Sequence, residues 1–254
     1  MAIFAVSARL TNRRTTSYIT CLGKKERHTL ADYVTGVEET STNKIVLYSS
    51  AQTGKTTELK QLCWELQQSG LYLPVSFEVR TNTKLKRDDL PESQYVDGRE
   101  VVLVIDALDE VNGQKYEDLL EEIGGYAYEH PEMKMVLSCR SNFRRERQLE
   151  LFTELFLEEL SIDDARDYAA KREVNSDRFM RSVFANQLED FIKNPFFLSV
   201  LIDAYKGKGK QLPKTKADIY KLFIKSSYDK EVKEKNVSLS AQHSLKSLFG
   251  YWKE

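Results

Sequence analysis

The stretch Lys44 to Leu62, KIVLYSSAQTGKTTELKQL, decides the reading of the fold. Ile45, Val46 and Leu47 form a continuous apolar run, the pattern of a strand buried on both faces of a parallel sheet. Leu59, Leu62, Cys63 and Leu66 recur at i, i+3, i+4 and i+7 and mark one face of a helix, which Gly70 is placed to stop. Between them runs the polar loop Ser49-Ser50-Ala51-Gln52-Thr53-Gly54, followed by Lys55-Thr56-Thr57. Strand, loop and helix in this order make a phosphate cradle: backbone N–H groups curl round the phosphates and the helix points its positive end at them. Gly54 lets the backbone approach the phosphates, Lys55 reaches the β and γ phosphates, and Thr56 can ligate Mg²⁺. Against the pattern G-x-x-x-x-G-K-[ST] the first glycine is Ser49, and Gly-Lys-Thr alone is a common tripeptide. The rest of the chain has to decide between a phosphate site and an ordinary helix start.

Downstream, Leu71, Leu73, Val75, Phe77 and Val79 alternate with polar positions, and Pro74 among them favours an edge strand. Residues 81–99 are polar and read as an exposed crossover. Val101 to Ile105, VVLVI, is the most apolar run and predicts an interior strand; Tyr116, Leu119, Leu120, Ile123 and Tyr126 then mark a helix, and Met135-Val136-Leu137 another strand. Strands and helices at these intervals predict a doubly wound parallel sheet, an α/β domain over 44–160 with helices on both faces. Residues 1–43 read as a strap with one amphipathic helix between His28 and Val37. Beyond Leu160 only helical patterns remain, over 161–254: a capped helix from Ser161 to Lys171, then helices at about 177–193, 196–206 and 215–233, and a last amphipathic segment from Leu239 to Trp252.

The chain has 254 residues, of which 30% are charged, yet the net charge is -1. Nothing global draws it to nucleic acid or to an anionic membrane, and the local basic runs Arg140–Arg147 and Lys206–Lys210 read first as solvated faces. Cys21, Cys63 and Cys139 are odd in number and widely spaced, which argues for a reducing compartment and against structural zinc. No run has the length of a membrane span and the start lacks a signal peptide, so the expected location is the cytoplasm. His28, His130 and His243 sit in unrelated contexts and offer no nucleophilic triad.

Ligands of open parallel sheets bind beyond the carboxyl ends of the strands. Three predicted strands end in suitable groups: the first in Lys55 and Thr56, the VVLVI strand in Asp106, and the MVL strand in Arg140. Asp106 is the hard oxygen ligand that a Mg²⁺ opposite Thr56 needs, partly through water. Glu110, or Asp109 beside it, could orient or deprotonate an attacking water, and either could equally cap the following helix. Arg140 could meet a γ phosphate, or be one more arginine of a basic loop.

Ser50 to Thr57, Leu103 to Val111 (LVIDALDEV) and Val136 to Arg140 (VLSCR) together resemble the NACHT branch of the STAND signal-transduction NTPases. Asn194-Pro195-Phe196-Phe197-Leu198 resembles the proline-containing segment of that family's helical domain. The resemblance implies a P-loop NTPase sheet domain followed by a small helical domain, binding ATP or ADP with Mg²⁺. It implies that Lys55 and Thr56 hold phosphates and metal, Asp106 the metal, Asp109 and Glu110 the hydrolytic water, Arg140 the γ phosphate and Pro195 the adenine. It further implies slow, activation-dependent hydrolysis, self-association on activation by an unidentified ligand such as a phage or pathogen component, a role in immune or anti-phage signalling, and a chain cut short of a winged-helix and sensor region. The family commonly carries glycine at the positions of Ser49 and Gln52. Two other readings compete: an assembly scaffold that holds nucleotide without cutting it, and a DNA-handling ATPase that uses the Arg140–Arg147 run.

Overall fold

The computed structural model describes residues 19–21, 29–36, 42–79, 85–111, 113–144, 149–207 and 212–235. The strap before Ile19, the helix expected at Leu239–Trp252 and parts of both basic runs lie outside them. The described residues fall into two compact units, Met1–Asp164 and Ala165–Glu254.

The first unit is built on a sheet whose interior strands are the apolar runs of the sequence. The strands are β1 (Ile19–Cys21), β2 (Lys44–Ser49), β3 (Tyr72–Glu78), β4 (Tyr95–Val96), β5 (Arg99–Asp106), β6 (Lys134–Arg140) and β7 (Thr153–Leu157). Their order is β1-β7-β2-β6-β5-β3, with β4 paired to β5. All pairings among β7, β2, β6, β5 and β3 are parallel, and the short β1 and β4 are antiparallel to β7 and β5. Every residue of β2 is buried, as two covered faces require. The side-chain period of two sorts the strands into two cores. Ile45, Leu47, Val102, Val104, Val136 and Leu155 pack with Leu59, Leu62, Cys63 and Leu66 of α2 (Lys55–Ser69) and with Leu30, Tyr33 and Val34 of α1 (Leu30–Thr35). On the other face Val46, Tyr48, Val101, Leu103, Ile105, Met135 and Leu137 meet Tyr116, Leu119, Leu120, Ile123 and Tyr126 of α3 (Gln114–Glu129). Helix, sheet and helix therefore form three layers.

Local chemistry sets the element ends. Thr29 and Asp32 close a reciprocal capping box on α1, and Gly36 ends it in the left-handed region. Lys44, only 6% exposed at the start of β2, donates through Nζ to the carbonyls of His130 and Pro131 at 3.1 and 2.6 Å, where α3 ends. A cation suits the negative end of a helix, and these carbonyls satisfy an ammonium that burial pushes to a lower pKa. β3 lies at one end of the strand order, where Pro74 is tolerated.

The described part of the crossover, residues 85–99, is largely exposed, as its polarity predicts, and it holds a 3-10 turn at Arg87–Asp89, the buried Leu90, and β4, which turns into β5 through left-handed Asp97 and Gly98. Three local expectations change. β7 and β1 occupy sequence that had no predicted strand; of the five residues of β7 only Leu155 is fully buried, so the apolar signal is weak. The helix expected over 177–193 is two.

That break lies in the second unit, which is helical: the end of α4 (Ile162–Lys171), then α5 (Ser176–Ala185), α6 (Glu189–Ile192), α7 (Pro195–Gly207) and α8 (Lys216–Lys235). Asn186 stops α5 with its side chain on the Ser182 carbonyl at 2.7 Å, and Gln187 turns left-handed with φ 54°. Ser161 and Asp164 cap α4 reciprocally, as the sequence predicts. Phe191, Phe197 and Phe223 form an aromatic cluster between α6, α7 and α8, with the rings of Phe197 and Phe223 3.8 Å apart.

Candidate functional site

In the strand order β2 lies between β6 and β7, both of which follow it in the chain, while the intervening β3 and β5 lie on one side only. The carboxyl end of β2 is thus where successive connections diverge, the position that leaves a crevice in an open parallel sheet. The polar residues at the strand ends meet there. Ser49 is the register partner of Arg140 across β2 and β6, and Ile105 that of Leu137, which sets Asp106 beside Ser138.

The loop after β2 is tightly wired. Ser49, 3% exposed, is still in the strand and needs no glycine conformation. Its Oγ donates to the Ser50 carbonyl at 3.0 Å and accepts from Thr53 Oγ1 at 2.6 Å and from Lys55 Nζ at 3.1 Å. Thr53, also buried, binds the Ser50 carbonyl at 2.8 Å. Ser50, Ala51 and Gln52 are exposed, and Gln52 adopts φ 62°, a left-handed conformation that costs a residue with a Cβ about 1–2 kcal/mol. Gly54, with φ 100° and ψ 17°, is the N-cap of α2 and brings no capping side chain. The first N–H groups of that helix lack intrahelical partners, so the helix start is electropositive and open to an anion. Thr56 and Thr57 are exposed on its first turn. Burial lowers the Lys55 pKa; the negative charge of Asp109 raises it in part and Arg140 lowers it further.

Two aspartates, one ending β5 and one just beyond it, have different partners. Asp106, 8% exposed, accepts a hydrogen bond from the Ser138 hydroxyl, whose oxygen in turn accepts the Ala107 N–H at 3.1 Å. Ala107 turns left-handed (φ 66°) and starts a 3-10 turn, Leu108–Glu110, pinned by the fully buried Leu108. The turn carries Asp109 to β6, where Oδ1 accepts the Arg140 N–H at 2.9 Å and Oδ2 accepts Arg140 Nε–H at 2.8 Å. Glu110 is exposed. Behind this pair Cys139 lies 3.8 Å from Tyr116 Oη; burial pushes the thiol up to about 11 and raises the phenol as well.

The donor set accommodates Mg²⁺ only in company. Thr56 and Asp106 are hard oxygen donors, but among the described residues no group of three or more His, Cys, Asp or Glu could hold a metal alone. Such a pair suits an ion that completes its octahedron with substrate phosphates and water. Lys55, Asp109 and Arg140 thus share one electrostatic neighbourhood with Asp106. Pro195 belongs to the helical unit, at the first position of α7, with the Asn194 side chain accepting the Phe196 N–H at 2.9 Å. Ser138 is the participant that the sequence reading passes over. Its signal is a hydroxyl in the otherwise apolar run of β6.

Compared with models of known protein families the chain matches none, and compared with curated protein sequences it likewise matches none. Among the described residues no helix is long and apolar enough to cross a membrane.

Proposed function

We propose that the first unit is a P-loop nucleotide site and the chain an ATP-binding, slowly hydrolysing switch module of the NACHT type. The observation that carries the reading is the insertion of β6 between the strand of the Gly-Lys-Thr loop and the strand of Asp106. It brings Arg140 into register with Ser49, the residue on which Lys55 rests. Three strand ends thus offer a lysine, a carboxylate and an arginine around one uncapped helix start, which is what a triphosphate requires. Lys55 binds phosphate oxygens, Thr56 and Asp106 hold Mg²⁺ with the nucleotide, and Arg140 faces the γ phosphate. Bound with its substrate, Mg²⁺ supplies charge neutralisation at the β and γ phosphates. In hydrolysis a water oxygen bonds the γ phosphorus, the bond to the bridging oxygen breaks, ADP leaves with the electron pair, and Glu110 takes the water proton before releasing it to solvent. Nucleotide state biases domain arrangement and self-association in a signalling protein.

Equilibrium binding of labelled Mg-ATP tests this. Lys55→Ala removes charge-assisted bonds of about 1.5–3 kcal/mol, so affinity falls roughly ten- to hundredfold. An unchanged affinity sinks the reading.

One observation favours a second reading, a scaffold that holds nucleotide without turning it over. Gln52 holds a strained conformation in the loop, where glycine would be at ease. Single-turnover hydrolysis that disappears in Glu110→Gln excludes the scaffold.

A further inference from the structure

The two carboxylates that follow β5 face different surroundings. Asp109 is 4% exposed in its side chain and spends one oxygen on the N–H of Arg140 and the other on its Nε–H. Glu110, one residue on, is exposed. A carboxylate whose two oxygens are both engaged by one arginine is poorly placed to take a proton from water.

The bond pattern does more than neutralise charge. Arginine has five N–H donors in a planar fork. Asp109 takes the one on Nε and also anchors the arginine's own backbone N–H, so root and head of the side chain are held by one group. The four N–H bonds of the two terminal nitrogens are left by this pairing, on a side chain that is 45% exposed. Held by Nε, the guanidinium presents its outer edge, the edge that binds phosphate oxygens bidentately. The 3-10 turn makes the hold stiff: Glu110 N–H bonds the Ala107 carbonyl at 2.9 Å, Val111 N–H bonds that of Leu108 at 3.2 Å, and Leu108 is wholly buried.

We propose that Asp109 is the positioning residue of Arg140, aiming its guanidinium at the γ phosphate, and is not the group that takes the proton from water. This rests on the nucleotide-site reading above. Asp109 aligns the charge that stabilises the transition state.

The test uses the full chain and two readouts. In the nucleotide-free protein, the Arg140 Nε–H NMR resonance, assigned by its loss in Arg140→Ala, shifts and exchanges faster with solvent in Asp109→Asn. In single-turnover Mg-ATP hydrolysis, Asp109→Asn and Arg140→Ala each lower the rate by about a hundredfold, the effect of losing one transition-state donor. The double variant is no slower than Arg140→Ala. Asp109→Glu, which keeps the carboxylate, recovers part of the rate and guards against a misfolded Asn variant. A further large loss on adding Asp109→Asn to Arg140→Ala overturns the proposal, because Asp109 then acts on water itself. An Arg140 resonance indifferent to Asp109→Asn overturns it too. A parent protein that binds no Mg-ATP sinks the nucleotide reading instead, and the resonance still decides whether Asp109 holds Arg140.

Discussion

The hydroxyl of Ser138, wholly buried in β6, bridges the last residue of β5 and the residue that follows it: it donates to the Asp106 carboxylate and accepts the N–H of Ala107. One small side chain thereby fixes the carboxylate's orientation and satisfies the amide where the strand turns left-handed. Ser138→Ala strands a buried acceptor and a buried donor, and the expected loss is about 1–3 kcal/mol for the unsatisfied groups. Urea denaturation should show a lower midpoint at unchanged slope. Ser138→Thr keeps the hydroxyl and should retain more of the stability than the alanine variant.

The two left-handed residues of the loop make opposite predictions. Gln52→Gly removes a conformational strain and should stabilise the unit by roughly 0.5–1 kcal/mol once glycine's greater unfolded-state entropy is counted. Gly54→Ala puts a Cβ where φ is 100° and should destabilise by about 1–2 kcal/mol, although no atom lies within 4 Å of that Cβ. Paired thermal melts check both signs. A Gln52→Gly variant that melts earlier than the parent contradicts the strain argument.

Alkaline pH should unfold the protein through groups that burial keeps protonated. Burial pushes Cys63 and Cys139 from 9.0 up to about 11, and Tyr48 up to about 12. A folded pKa above the unfolded one means that the unfolded chain loses its proton first, so stability is present below about pH 9 and is lost as pH rises through about 11. Lys44 and Lys55, whose folded pKa is lowered, act in the opposite sense: raising the pH from that lowered value towards 10.5 relieves the cost of burying their charge. Cys63→Ala isolates one contribution. Its unfolding midpoint should fall less between pH 8 and pH 10.5 than the parent's does.

Pro195 opens α7 at a position where a helix makes no use of the N–H that proline lacks. Pro195→Ala should therefore change thermal stability little, whereas Asn194→Ala, which removes the cap on Phe196, should cost about 0.5–2 kcal/mol. A fall in Mg-ATP affinity in Pro195→Ala without a fall in melting temperature reports a contact with the nucleotide.

The parts of this fold that the sequence reveals are those where one force dominates. Ile45-Val46-Leu47, VVLVI and Met135-Val136-Leu137 are buried on both faces, which is the environment that a short continuous apolar run between polar loops fits. β7 escapes because Thr153 and Glu154 stand in a strand whose deep contact is Leu155 alone, and its pairing with β2 is a long-range event that no local pattern encodes. The 177–193 segment keeps its helical period across a break that depends on Asn186 bonding back to Ser182. In the site, Lys55, Asp106, Asp109 and Arg140 are recognisable by type and spacing. What periodicity could not give is that Asp109 and Arg140 are bonded to each other, since that follows from the register of β5 and β6 and from the turn at Ala107.

β2 finds its sheet neighbours only far along the chain: Lys44 pairs with Met135, and Tyr48 with Phe156. As the polypeptide leaves the ribosome, the strand that carries the Gly54-Lys55-Thr56 motif therefore waits with both edges bare until β6 has emerged, and with one edge bare until residues beyond Thr153 follow. Closure over such separations is entropically slow and exposes an apolar edge meanwhile. A fragment that ends before Thr153 contains the complete motif and lacks the flanking strand that finishes its frame.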